Sequence, residues 1–431
     1  MMHWKGVLLS NILVGGLFLS GCSLDTPGVT DSNPALTLNA SQNLSLINLS
    51  WDPVKVTGFK EYIILQSTSD IPNSPTPEVN GETSVLKRID DSDITSYSVS
   101  NTLFAPRLCY KLYTAVDDRF LYSSTICVDQ DITFFNGFND RAGHEEGLDE
   151  VVLFDRVNAR LSSIDYINEE LTNTVNNINL TFPMIDISTY QGTTNVFAYD
   201  QSVPKVIKYK FPELTALTFK NFNGVLFALN AHGPFVYASV EEFPNSFQVL
   251  SRNNFTVIDT RTGISGNRNI AVFDGDPTLI LEIGETSMMK YSINPDGKIL
   301  QMDLLTTGVN QLNTQNTTAN NNDYFIGGRL GNIVNRNGEI LGSLTPGLNT
   351  FNFMNRISPD NTKAVSIIND VNKIFLEIND ISALPAITKI ASYEMPQANF
   401  ADLIVEDHII YVIGVTFAAG QAQTFMTKYP I

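Results

Sequence analysis

Residues 256–263 read TVIDTRTG: a short β-branched run, an Asp, then a Thr/Gly turn. Val and Ile suit a half-buried strand, and an Asp at the strand's end can bond the backbone of the turn that follows. Related runs end at Asp155 (VVLFD), Asp200 (VFAYD), Asp259 (FTVID), Asp303 (ILQMD), Asn335 (NIVN) and Asp380 (FLEIND). Successive ends lie 45, 59, 44, 32 and 45 residues apart. A repeat near 45 residues built of short strands predicts a β-propeller, in which each repeat is one four-stranded blade. A lone blade cannot bury both faces; packing blades radially buries them and leaves only short edges. Residues 148–431 number 284, and at ~42 residues per blade they give seven blades, with six as the alternative. Val151–Asp155 is expected to pair with a C-terminal strand such as Thr424–Tyr429 and close the ring.

The repeats resemble blades of the YVTN family of propellers, whose third strand ends in an Asp before a Thr/Gly turn. Asn294–Lys298 (NPDGK) and Ser358–Asn361 (SPDN) resemble the turn those blades place between their first strands. They lie 64 residues apart, which is not one blade, so the repeats are diverged.

Upstream, residues 34–131 carry short alternating runs between turn signals and no sustained helical period, as a β-sandwich would. Leu46–Pro53 (LINLSWDP) resembles strand B of a fibronectin type III domain, and Gly58–Thr68 (GFKEYIILQST) its strand C with Tyr62 as the core tyrosine. Leu103–Val116 (LFAPRLCYKLYTAV) resembles the approach to strand F, with Tyr110 as the corner tyrosine. One extra residue between Leu103 and Tyr110 leaves open which group its hydroxyl meets. Trp51 is expected in the core rather than on a ligand platform. Residues 132–147, beginning near FFNGFNDRAGHEE, read as a linker between the two modules; a cation site there, on Asp140, His144, Glu145 and Glu146, is the weaker reading because no EF-hand spacing exists.

The amino terminus has a short n-region with Lys5 and an uncharged, mostly apolar run over 6–18. That run suits a secretory signal over residues 1–21 better than a bilayer span. Leu19-Ser20-Gly21-Cys22 resembles the lipobox of bacterial lipoproteins. The resemblance implies cleavage before Cys22, diacylglycerol on its sulfur and an acylated amino group, together a stable membrane anchor. Ser23, in place of an inner-membrane-retaining Asp, implies the outer membrane, on its periplasmic or its exterior side. Residues 22–33 form the tether.

The 431 residues carry 27 Lys+Arg against 45 Asp+Glu, a net charge of −18. That balance argues against nucleic acid or an anionic membrane surface as partner. With Cys22 lipidated, Cys109 and Cys127 remain. A hairpin centred on residue 118 sets them opposite one another, and an oxidising compartment favours a disulfide over two buried thiols. No C-x-x-C motif marks them as a catalytic dithiol.

No nucleophile elbow, zinc-binding His pair, P-loop or dinucleotide fingerprint occurs, and no catalytic, metal or cofactor residues are assigned. His144, His232 and His408 stand far apart and are expected to be structural or on the surface. Asp274 and Asp276 are expected to cap a turn rather than ligate Ca²⁺. Asn310–Asp323 (NQLNTQNTTANNND) reads as an exposed loop. The expectation is thus an all-β, lipid-anchored envelope protein whose propeller is a non-enzymatic binding module for a protein or other envelope ligand. A glycan or peptide hydrolase and an outer-membrane assembly scaffold are the alternatives.

Overall fold

A computed structural model describes residues 36–431, apart from 101–102, 179, 182, 201, 264–268, 274–275, 284–287, 306–317, 321–323, 328–329, 345–349, 371–372 and 419–420. Cys22, the signal and lipobox residues and Asp274 lie outside the described residues. Leu36–Ile431 forms one unit.

Its first part has eight strands: β1 (Leu38–Asn43), β2 (Leu46–Trp51), β3 (Phe59–Ser67), β4 (Thr83–Ile89), β5 (Ser96–Ser100), β6 (Arg107–Val116), β7 (Arg119–Tyr122) and β8 (Ile126–Asp129). They make two sheets, β1-β2-β5 and β4-β3-β6-β7, with β8 also paired to β6. Alternation along β2 sends Ile47, Leu49 and Trp51 inward against Tyr62 and Ile64 of β3 and Leu108, Tyr110 and Leu112 of β6. Trp51 meets Tyr62 edge-on, 5.4 Å between centroids. The Tyr62 hydroxyl accepts from the Val54 N–H at 2.8 Å. β3 and β6 are buried on both faces, because residues 69–82 fold over their outer side and cover Ile63, Leu65 and Tyr113. Lys111 lies fully buried there, donating to the Pro72 carbonyl at 3.0 Å and to Asn73 Oδ1 at 2.6 Å. The Tyr110 hydroxyl accepts from the side-chain amide of Gln66 at 3.2 Å.

The hairpin carries the cysteines as its symmetry requires, with one adjustment. Tyr113 faces Tyr122, whereas Cys109 faces Cys127, so one extra residue intervenes on the return strand. Buried Ser123 fixes that bulge: its N–H donates to the Leu112 carbonyl, and the Leu112 N–H donates to its Oγ at 3.0 Å. Cys109 and Cys127 are joined in a disulfide.

After β8 the chain forms β9 (Ile132–Asn136) and then a succession of four-stranded antiparallel sheets. Among the described residues there are seven: sheet I over 139–175, II over 183–221, III over 225–262, IV over 269–305, V over 318–343, VI over 350–395, and VII over 399–430 completed by β9. The first strand of each sheet packs beside the first strand of the next, and that of sheet VII (Asn399–Val405) packs beside that of sheet I (Asn139–Gly143). The second and third strands are sandwiched between neighbouring sheets, which is why they read as near-continuous apolar runs; Thr193–Asp200 and Phe235–Glu241 are examples. Outer strands such as Glu170–Val175 are largely exposed. Between sheets III and IV, Phe247 stacks on Tyr291 at 4.1 Å.

Three expectations change. The linker over 132–147 is instead β9 and the first strand of sheet I. Closure falls to β9, whose Phe134 faces Phe425 on Gln421–Pro430, while Val151–Asp155 is the second strand of sheet I. The tract Asn310–Asp323 contains Thr318–Asn320, the first strand of sheet V. The uneven intervals also acquire a cause. Asp155 and Asp200 end second strands, Asp259 and Asp303 sit in fourth strands, and Asn335 and Asp380 sit in third strands. Within a strand class the spacing is 45, 44 and 45; the 59 and 32 arise where the motif changes strand. Likewise the Asn294 turn joins the third and fourth strands of sheet IV, but the Ser358 turn joins the first two of sheet VI.

Candidate functional site

First strands line the middle of the ring, so their polar side chains are the ones available to a ligand entering along its axis. Two clusters form where these strands end. In the first, across sheets I to III, both Glu145 carboxylate oxygens accept from Thr189, one from its N–H at 2.8 Å and one from its hydroxyl at 2.7 Å. Arg252, in the turn after the third strand of sheet III, is buried. It donates to Ser188 Oγ at 2.9 Å, to the Ser188 carbonyl and to the Gly233 carbonyl at 3.3 Å. Its guanidinium lies 5.3 Å from the centroid of Phe197. The buried ammonium of Lys208 donates to the Arg252 carbonyl at 3.0 Å.

Asp186, on the first strand of sheet II, accepts from the Ala231 N–H at 2.7 Å. Burial pushes its carboxyl up to about 7, against the pull of that N–H and of the Arg252 charge, with Glu145 adding to the rise. Its side chain is only half-buried. Burial and the Asp186 charge both raise the neighbouring Tyr199 phenol.

The second cluster spans sheets VI, VII and I. Arg356 donates to Asp402 Oδ1 at 2.6 Å, and the Leu403 N–H donates to the same oxygen at 2.7 Å. Tyr166 donates to Glu406 Oε1 at 2.6 Å, with the Leu148 carbonyl 2.9 Å away. Burial lowers the pKa of His144, and its Nε2 lies 3.0 Å from the Leu148 carbonyl, so a neutral ring donating through Nε2 fits.

His144, His232 and His408, which stand apart in the sequence, fall at equivalent places: each ends a first strand or lies in the turn after one, in sheets I, III and VII. That equivalence was invisible without strand assignments. Among the described residues, no three His, Cys, Asp or Glu side chains converge as a metal site. Asp155 and Asp200 bond turns. Asp155, fully buried, accepts from the Val157 and Asn158 N–H groups and from Asn158 Nδ2 at 2.6 Å. Asp200 accepts from the Ser202 N–H at 2.8 Å. Asp259 reaches across to sheet IV, accepting from the Ile299 N–H at 2.9 Å. Trp51 is buried in the sandwich, as expected for a core residue. Asp186, Arg252 and Lys208 were missed by sequence reading, because a single charge within an apolar strand or turn carries no spacing signal.

No protein-family model and no curated protein matches the chain. Solved structures do. The structure of U3-55K aligns with a TM-score of 0.51 at 8% identity, covering 70% of this chain and 98% of that one. The β-propeller domain of Cps50 (Swd1) from Myceliophteria thermophila aligns with a TM-score of 0.50 at 9% identity, covering 69% and 99%. The fold is a β-propeller. A chain of the mitotic checkpoint complex aligns similarly, with a TM-score of 0.50 at 10% identity, covering 70% and 93%. At such identities the propeller likeness concerns architecture alone.

Proposed function

We propose that this chain is a lipid-anchored protein of the bacterial cell envelope whose seven-bladed β-propeller, carried beside a fibronectin type III-like module, binds a protein or other envelope ligand without catalysis. The observation that carries the reading is the cyclic packing of first strands from seven successive sheets, which gives a rigid ring with exposed turns at its ends. Turns held by such a scaffold are where binding surfaces tend to be built. The orders β1-β2-β5 and β4-β3-β6-β7 suit a fibronectin-type sandwich. Leu19–Cys22 supports the anchor, and Ser23 favours the outer membrane. One similar chain was solved within a checkpoint complex, which agrees with a propeller as an assembly partner.

Crosslinking in intact envelopes followed by affinity capture tests the binding reading: a reproducible protein or glycan partner is expected, and recovery of lipid alone overturns it. Cys22→Ser should release the protein from membranes; retention there removes the anchor. One observation favours a hydrolase instead, namely the raised carboxyl of Asp186 within reach of the Glu145 charge. Hydrolysis of an envelope glycan or peptide that disappears with Asp186→Asn would decide for that alternative.

A further inference from the structure

A cleft of about 450 Å³ opens on the outer face of the sandwich. Thr68, Asp70, Arg107 and Thr125 line it together with both disulfide cysteines. The two cysteines are unequally exposed: Cys109 is only 1% exposed, whereas Cys127 is half-buried. Arg107 precedes Cys109 by two residues on β6, so both side chains stand on the same face of the strand. Arg107 is largely exposed, 3.9 Å from the still more exposed Asp129. A cation beside a disulfide favours the approach of a thiolate and steadies the thiolate that leaves.

We infer that this cleft is a thiol-exchange site, where a small zwitterionic peptide thiol attacks Cys127 and leaves Cys109 free. The incoming thiolate forms a bond to Cys127 Sγ as the Cys109–Cys127 bond breaks. The electron pair of that bond passes to Cys109 Sγ, which departs as a thiolate beside Arg107 and takes a proton from solvent. One thiol and one disulfide thus become one mixed disulfide and one free thiol. Asp70 and Arg107 offer opposite charges to the ammonium and carboxylate groups of such a peptide.

The exchange reaches beyond the sandwich because β8, which holds Cys127, is followed after Gln130 and Asp131 by β9, the strand that completes sheet VII. The link is held by the Gln130 N–H on the Pro106 carbonyl, 2.8 Å, and by Asp131 beside Lys428, 3.6 Å. Opening the disulfide removes the covalent tie just upstream of that closing strand.

Glutathione is the probe. The folded protein is incubated with it, quenched in acid, alkylated with N-ethylmaleimide and mapped by mass spectrometry, with circular dichroism confirming the fold throughout. Glutathione on Cys127 and maleimide on Cys109 are expected, at least tenfold over the reverse arrangement. Equal division, attachment to Cys109, or no adduct until the fold is lost overturns the site. Arg107→Gln should slow the adduct severalfold while Arg107→Lys largely preserves its rate; equal rates in all three remove the role of Arg107. Amide exchange over Ile132–Asn136 should accelerate at least tenfold in the adduct, with sheet III unchanged; unaltered protection overturns the link to ring closure.

Discussion

The ring of Phe104 lies on that of Phe425, 3.8 Å between centroids and 24° from parallel. Phe104 belongs to the approach to β6, and Phe425 to the strand that pairs with β9, so the stack ties the sandwich to sheet VII. Leu46 packs into the same apolar cluster. Hydrogen bonds reinforce it: the Ser45 N–H donates to the Lys428 carbonyl at 2.9 Å, and the Ser100 hydroxyl donates to the Glu394 carbonyl of sheet VI at 2.6 Å. Phe104→Ala should cost about 3–5 kcal/mol, measured by denaturant unfolding, and should unfold the sandwich and ring in separate steps if the stack is what couples them.

The disulfide closes a loop spanning a sequence separation of 18. In the chain-entropy account a loop of that size contributes about 3 kcal/mol. Replacing Cys109 and Cys127 together by Ser should lower the unfolding free energy of the sandwich by about that amount. An unchanged denaturation midpoint would contradict the estimate.

Asp186 makes stability depend on pH with an unusual sign. Its folded-state carboxyl titrates at about 7, above the ordinary 3.8, so the folded state holds its proton more tightly than the unfolded chain. The resulting stabilisation is fully present below pH 3.8 and is lost as pH rises towards 7. Other carboxylates titrate oppositely: Asp360, held down to about 2 chiefly by the Ser358 hydroxyl, contributes stability that is lost on acidification. Asp186→Asn should therefore remove a loss of stability between pH 4 and 7, seen as a difference in thermal midpoints across that range.

Arg356 and Asp402 form a largely buried pair between sheets VI and VII, 2.6 Å apart. Arg356→Met would leave the Asp402 carboxylate without its cation. A loss of about 3–5 kcal/mol is expected. Restoration by the added Asp402→Asn change would confirm that the loss comes from the stranded charge, and its absence would assign the loss to packing.

How far the sequence was legible follows from what each signal encodes. The runs ending at Asp155 and Asp200 mark strands buried between sheets, and the ~45-residue spacing predicted the repeat. Yet the same motif occurs in second, third and fourth strands, where its Asp bonds a turn in some and the neighbouring sheet in another, so the spacing could not assign strand positions. The closing strand Ile132–Asn136 was misread because its neighbours Gly137, Asn136 and Asn139 carry turn chemistry and its partner lies some 290 residues away. Sequence symmetry about residue 118 placed the cysteines opposite each other without revealing the bulge at Ser123. The Asp186–Arg252 cluster depends on three sheets meeting, and nothing local in the chain announces that.

Closure by β9 also sets an order of events. During synthesis the strand Ile132–Asn136 emerges well before Gln421–Pro430, so its pairing edge stays open until that later strand has been made. A chain that lacks Gln421–Pro430 leaves a ring that cannot be fastened. Gln421–Pro430 thus acts as the clasp of the ring, and chains ended before it should be conspicuous to proteases.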